Sequence, residues 1–197
     1  MDYNITLKQM SLSEMKDIYE ELMIVDFPPK ELKKWEMVEN LYKKGIYEAL
    51  SAFADKELIG YAFFSTDVTH RLYLLDYFAI VKKLRGQGYG SCMLKYISER
   101  FKDVDILICE VENPFVKDDP IIKKQKQKRM DFYLNNCWKD TGIDAFMFDV
   151  EYRLLYLILG NNLSTSDIQS AYEAIYRAAI RKEELEPNMW LRRHEGK

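Results

Sequence analysis

The chain has 197 residues, 48% of them hydrophobic and 31% charged, which is enough for one folded domain with a buried core and excludes a disordered chain. Lys and Arg number 29 against 32 Asp and Glu, a net charge of -3, which argues against nucleic acid as the main partner. Two histidines and three widely spaced cysteines (Cys92, Cys109 and Cys137) form no CxxC pair, argue against a metal site and fit a reducing cytoplasm.

The opening MDYNITLKQM lacks the basic-then-apolar run of a secretory leader, and no apolar stretch is long enough to cross a membrane. Asn4 to Lys8 reads as a short strand. Ser11 or Ser13 can cap a helix running to about Met23, with Leu12, Met15, Ile18, Tyr19 and Leu22 at helical spacing. Phe27-Pro28-Pro29 interrupts the chain. Lys30 to Lys44 predicts a second helix, stopped by Gly45. Tyr47 to Ala54 and Leu58 to Ser65 predict a hairpin around Asp55-Lys56-Glu57. Leu72 to Val81 is a nearly continuous apolar strand. A glycine-rich turn then leads into a helix from about Tyr89 to Phe101. Asp105 to Val111 predicts a buried strand, Ile121 to Asn136 a basic helix, and Ala145 to Val150 and Tyr152 to Leu159 two closing strands. The last predicted helix, Asp167 to about Arg181, has Ser166 as N-cap and Gln169 as its capping-box partner. Its stripe of Ile168, Ala171, Tyr172, Ile175, Tyr176 and Ala179 must be buried, on the same chain or in a homodimer.

The turn from Arg85 to Ser91 carries the most information. A buried strand enters three alternating glycines and leaves as a helix, so unpaired N–H groups and the positive end of the helix dipole converge on one spot. A phosphate or pyrophosphate fits there, and a plain helix-capping turn is the alternative. The spacing GxGxG matches neither the dinucleotide fingerprint nor a P-loop.

Arg85-x-x-Gly88-x-Gly90, placed between a strand and a helix, resembles the acyl-CoA-binding motif of the GNAT superfamily of N-acetyltransferases. Arg129-Met130-Asp131-Phe132-Tyr133-Leu134-Asn135-Asn136-Cys137-Trp138 resembles that family's Phe-Tyr followed after three residues by Gly-Phe, with Cys137 and Trp138 in place of the last pair. Asn135 or Asn136 is expected to supply the left-handed helix end that the missing glycine would provide. The order of elements matches from about residue 4 to residue 159. The resemblance implies an α/β fold: a mixed, mostly antiparallel sheet with a splayed central parallel strand pair, flanked by helices, to which this chain adds a C-terminal helix. Residues 1–160 would form the acetyltransferase domain and 161–197 a helical extension packed on it.

It also implies direct transfer of an acetyl group from acetyl-CoA, the co-substrate, to an amine in a ternary complex, without a metal. Backbone groups at Phe78, Ala79 and Ile80 would pair with the pantetheine arm, and the amides of Arg85, Gly86, Gln87, Gly88, Tyr89, Gly90 and Ser91 would hold the pyrophosphate. A base must deprotonate the amine. Glu110 is the favoured candidate, Asp76 the rival and Glu112 the third, with ordinary strand-end carboxylates as the alternative. Tyr133 matches the family tyrosine that hydrogen-bonds or protonates the departing sulfur, although a helix tyrosine is also ordinary core packing. A backbone N–H on the Ile80 strand would stabilise the carbonyl oxygen as it becomes negative.

The acceptor, a small molecule or peptide amine, would lie among Phe27, Pro28, Pro29, Trp35, Phe146, Phe148 and Tyr152, with Asp26, Glu31, Asp144 and Asp149 available to attract a cation. The run from Lys123 to Arg129 reads as a solvated helix face. A non-catalytic acyl-CoA sensor on the same fold is the competing class. No membrane partner is expected, and the chain is read as a monomer or homodimer.

Overall fold

The structure, a computed structural model, describes residues 3–159 and 165–193, apart from the side chains of residues 165 and 166. In chain order the elements are β1 (Ile5–Gln9), α1 (Leu12–Ile18), a π-helical turn (Tyr19–Met23), α2 (Ile24–Asp26), α3 (Trp35–Lys43), β2 (Tyr47–Ala54), β3 (Glu57–Thr66), β4 (Leu72–Ile80), a 3-10 turn (Lys82–Leu84), α4 (Tyr89–Arg100), β5 (Ile106–Glu112), α5 (Pro120–Leu134), β6 (Lys139–Met147), β7 (Val150–Ile158), α6 (Thr165–Ala179), α7 (Lys182–Leu185), a second 3-10 turn (Glu186–Asn188) and β8 (Met189–Arg193). Among the described residues eight strands form one mixed sheet in the order β1-β2-β3-β4-β5-β7-β6-β8. The β4–β5 ladder is parallel and pairs Leu72 through Leu75 with Ile106 through Cys109. The ladders β1–β2, β2–β3, β5–β7, β6–β7 and β6–β8 are antiparallel.

The chain divides into two compact units, Met1–Ser65 with Asp76–Arg100 and Thr66–Leu75 with Phe101–Lys197. In the first, Ser11 and Glu14 form a complete capping box. The Ser11 N–H donates to Glu14 Oε2 at 2.7 Å, and the Glu14 N–H donates to Ser11 Oγ at 3.3 Å. The two exchanged bonds satisfy donors that a helix start otherwise leaves unpaired. The expected second helix begins at Trp35, later than its predicted start at Lys30. Tyrosine hydroxyls hold the backbone before it: Tyr19 donates to the Lys33 carbonyl at 2.9 Å, while Tyr77 accepts from the Lys33 N–H and donates to the Glu31 carbonyl, both at 2.8 Å. Gly45 ends α3 with φ +74°, and Ile46 N–H closes back onto Leu41 C=O at 3.1 Å, a Schellman ending. Met15, Met23, Leu41, Leu50, Ile59, Phe63, Met93 and Leu94 are fully buried and form this unit's core.

In the second unit the closing hairpin differs from the expectation. Its strands are longer, and they turn at Phe148-Asp149, with φ values of 43° and 67°, rather than near Glu151. The tail also differs. After α6 and α7 it adds β8, which pairs with β6 from Met147↔Met189 to Ile143↔Arg193. Helix α6 starts at Thr165, so the expected Ser166 cap falls inside the helix, and its side chain lies outside the described residues. The predicted stripe on α6 is covered within the chain, with Ile168, Ala171, Tyr172, Ile175 and Tyr176 all buried.

Candidate functional site

In the first unit β4 runs into the glycine turn and α4. Gly86 and Gly88 take φ +76° and +89°, the left-handed region where a Cβ is strained. The first α-helical bond of α4 runs from Cys92 N–H to Gly88 C=O at 3.2 Å. That leaves the amides of Tyr89, Gly90 and Ser91 in the first helical turn, where the helix itself offers no acceptor. Gly86 has open space where a Cβ would stand, so an anion can approach the backbone closely. This donor set fits a pyrophosphate.

Tyr3, which carries no motif of its own, braces the turn. Its ring stacks on Tyr89 at 4.1 Å between centroids, and its hydroxyl donates to the Gln87 carbonyl at 2.8 Å. Only tertiary contact brings the chain start here, so no local pattern signalled it. The Arg85 side chain is committed elsewhere. Its Nε donates to Ile80 C=O at 2.8 Å and its guanidinium pairs with Asp26, which also accepts from the Tyr61 hydroxyl at 2.8 Å. The Arg85 guanidinium is therefore engaged by Ile80 and Asp26. Asp26, offered as an attractor of cations, is the partner of that arginine. Burial first, and the hydrogen bond to Asp26 second, push the Tyr61 hydroxyl well above the usual phenol range.

Asp76 sits on the same stretch of β4. Its carboxylate, 3% exposed, pairs with Lys33 Nζ at 2.6 Å and accepts from the Tyr47 hydroxyl at 2.6 Å. Burial, followed by the negative charge of Asp76, holds the Tyr47 phenol far above its ordinary value, so Tyr47 remains a donor. Lys33 also lies over the Tyr77 ring, 5.5 Å from its centroid, and Phe27 meets that ring edge-on at 5.0 Å. This cluster fastens the Phe27–Lys34 segment to β4. Replacing Lys33 by Met is expected to leave the buried Asp76 charge short of its cation, at a cost of about 3 kcal/mol. Thermal unfolding should show this as a midpoint lower by roughly 6–12 °C; an unchanged midpoint would mean that the pair contributes no net stability.

In the second unit Glu110 lies on β5 and is half-buried. Two hydroxyls from α6 converge on its Oε1. Tyr172 makes a very short bond, and Tyr176 donates at 2.7 Å. Burial, then the Glu110 charge, raises the Tyr172 phenol far above its usual value, so it stays protonated and keeps donating. Glu112, the third candidate, faces Lys126 at 3.7 Å and Arg129 at 3.5 Å on α5, an ordinary partly exposed ion-pair group. The rest of the basic run faces solvent.

Tyr133 is buried near the end of α5, edge-on to Trp138 at 5.4 Å between centroids. Burial and, secondarily, the nearby Cys109 drive its hydroxyl well above the ordinary phenol value. Burial and the Glu110 charge likewise keep the Cys109 thiol protonated. The left-handed residue after α5 is Cys137 itself, at φ +70°, while Asn135 stays right-handed. This corrects the expectation for the asparagines. The Trp138 N–H bonds to the Tyr133 carbonyl at 3.2 Å, so the ending is a Schellman closure, and its geometry places the left-handed residue next to Trp138 whatever its side chain.

The aromatics expected at the acceptor side are divided between the two units. Phe27 and Trp35 belong to the first unit. Phe146, Phe148 and Tyr152 belong to the second, where Phe146 stacks on Trp190 at 5.6 Å. Asp144 is buried against Arg153 at 2.8 Å, so its charge is already matched. Among the described residues no cluster of three or more His, Cys, Asp or Glu could hold a metal ion, and no helix is long and apolar enough to cross a membrane.

A family model described as "Acetyltransferase (GNAT) family" matches residues 12–117. A solved structure from Bacteroides thetaiotaomicron, assigned to the GNAT family of acetyltransferases, superposes with a TM-score of 0.66 at 20% identity, covering 89% of this chain and 99% of its own. A mutant form of a spermidine N-acetyltransferase from Vibrio cholerae gives 0.59 at 14% identity, with coverage of 82% and 98%. A further GNAT-family structure from Desulfovibrio desulfuricans gives 0.55 at 15% identity, with coverage of 79% and 99%. At these identities the likeness is one of fold. No curated protein sequence matches the chain.

Proposed function

From the premise that the chain belongs to the GNAT family of acetyltransferases, we propose that it transfers an acetyl group from acetyl-CoA directly to the nitrogen of an amine held in the same complex. The observation that carries this reading is the glycine turn. Two left-handed glycines, an open backbone and the start of α4 present amides to a pyrophosphate, and the family uses acetyl-CoA. Backbone groups at Phe78, Ala79 and Ile80 are proposed to hold the pantetheine arm, and those from Arg85 to Ser91 the pyrophosphate. Residues 161–197 are proposed as an extension that completes the surroundings of Glu110.

The amine arrives protonated at neutral pH and cannot attack until it loses a proton. Glu110 is proposed to take that proton, directly or through water. Glu110 is only half-buried, whereas the Asp76 side chain is sealed and paired with Lys33. The nitrogen then bonds to the acetyl carbon, the carbon–sulfur bond breaks with its electron pair leaving on the CoA sulfur, and the second proton of the nitrogen passes to that thiolate, directly or through water, to give free CoA thiol. A backbone N–H on β4 near Ile80 is proposed to stabilise the carbonyl oxygen while it is negative. Tyr133 is proposed to donate a hydrogen bond to the departing sulfur. Its acidity is so reduced that full transfer of its proton to a thiolate, whose conjugate acid resembles a cysteine with pKa near ~8.5, runs uphill. Charge stabilisation is therefore its main contribution.

The test incubates the purified protein with acetyl-CoA and a panel of small amines, spermidine and amino-terminal peptides among them. CoA thiol release and mass spectrometry report on the product. An acceptor heavier by one acetyl group, formed in step with free CoA, is the expected result. Saturable acetyl-CoA binding with no product from any amine would favour the sensing module instead.

A further inference from the structure

The C-terminal helix carries an apolar stripe, and two of its positions are tyrosines. A buried hydroxyl is costly without a partner, and phenylalanine would pack as well without that cost. Tyr172 and Tyr176 stand one helical turn apart, with ring centroids 4.9 Å from each other. Ile168, Ala171 and Ile175, all buried, pin the helix on the same side. Both hydroxyls end on a single atom, Glu110 Oε1. Two donors on one carboxylate oxygen fix the rotamer of the side chain and favour its charged form.

We infer that α6 supplies two positioning residues, Tyr172 and Tyr176, which hold Glu110 charged and oriented to receive the proton of the amine. The inference rests on the reading of Glu110 as the base. Neither tyrosine touches substrate; each acts through Glu110. Among the described residues, titratable or charged groups near Glu110 include Cys109 beside it on β5, Glu112 on the same strand face, itself paired with Lys126 and Arg129 of α5, and Tyr152 of β7, which interacts with Tyr172. Burial and the Glu110 charge hold the Cys109 thiol and the Tyr172 phenol in their neutral forms.

The test follows the carboxyl carbon of Glu110 by NMR in protein labelled with 13C-glutamate, the signal being the one that vanishes in Glu110→Gln. This titration needs no acceptor. Tyr172→Phe and Tyr176→Phe should each raise its midpoint by about one pH unit, because each removes a bond to the charged form. The acid limb of kcat/KM, measured with acetyl-CoA and the panel amine that turns over fastest, should move up by the same amount, with KM for acetyl-CoA unchanged. Tyr176→Phe, at the rim of the cluster, keeps the test open should Tyr172→Phe fold poorly. Midpoints and profiles that stay put while Glu110→Gln loses activity would overturn the inference alone. Wild-type turnover by Glu110→Gln would overturn the reading of Glu110 as base, and the inference with it.

Discussion

Gly88→Val is expected to weaken acetyl-CoA binding about 100-fold or more while leaving a folded protein. Gly88 sits at φ +89°, and a side chain there would meet the Tyr3 ring, whose Cε2 lies 3.7 Å from an ideal Cβ. A β-branched residue in this region strains the backbone by roughly 1–2 kcal/mol, which lowers the unfolding midpoint by about 2–8 °C. The binding loss has a separate origin. Opening the turn would misdirect the amides of Tyr89, Gly90 and Ser91, and a pyrophosphate depends on several such donors at once. Gly45→Val separates the two effects. Gly45 has a similar φ of +74° with nothing within 4 Å of its ideal Cβ, so it should carry the stability cost without the binding loss. Calorimetric titration of both variants with acetyl-CoA makes the comparison. Equal affinities for the two would mean that the turn does not hold the phosphates.

Tyr133→Phe is expected to lower kcat about 100-fold, the loss of one hydrogen-bond donor to a developing charge, while KM for acetyl-CoA stays within roughly threefold. Phenylalanine fills the same buried space beside Trp138, so packing survives and only the hydroxyl is lost. A group that acts as the C–S bond breaks belongs to the transition state, and its removal therefore appears in kcat. The raised pKa of Tyr133 adds a signature. Burial and Cys109 both disfavour the phenolate, so the hydroxyl keeps its proton beyond the ordinary phenol value near ~10. The wild-type rate should accordingly show no alkaline decline from Tyr133 below about pH 10. Turnover by Tyr133→Phe equal to wild type at every pH would remove the residue from the chemistry.

The strand, glycine turn and helix around Arg85–Ser91 were legible because each leaves a local signature: a continuous apolar run, alternating glycines and helical periodicity. The hairpin at Asp55-Lys56 and the stop at Gly45 were legible for the same reason. What escaped depends on distant contacts. The start of α3 at Trp35 reflects hydroxyls of Tyr19 and Tyr77 that hold residues 31–33 out of the helix, and propensity contains no record of them. The turn at Phe148-Asp149 uses two left-handed residues without a glycine, so it carried no turn signal. The tail strand β8 is short, and its partner β6 lies more than forty residues earlier.

The site shows the same division. The sequence located Glu110, Asp76 and Tyr133 on their elements and favoured Glu110 over Asp76, but it named no partner for either carboxylate. Their difference lies in partners far away in the chain. Lys33 reaches Asp76 across 43 residues, and Tyr172 reaches Glu110 across 62. The stripe on α6 announced burial through its spacing, yet nothing local says that two of its tyrosines end on a strand carboxylate. Arg85 is a related case, because its motif position was plain while its pairing with Asp26 was not.

The most direct measurement is a calorimetric titration of the wild-type protein with acetyl-CoA, with acetate and ATP as controls. Saturable binding at one site per chain, and none with acetate, is the predicted result. No heat of binding up to millimolar acetyl-CoA would contradict the assignment of the glycine turn, and with it the proposed transfer reaction.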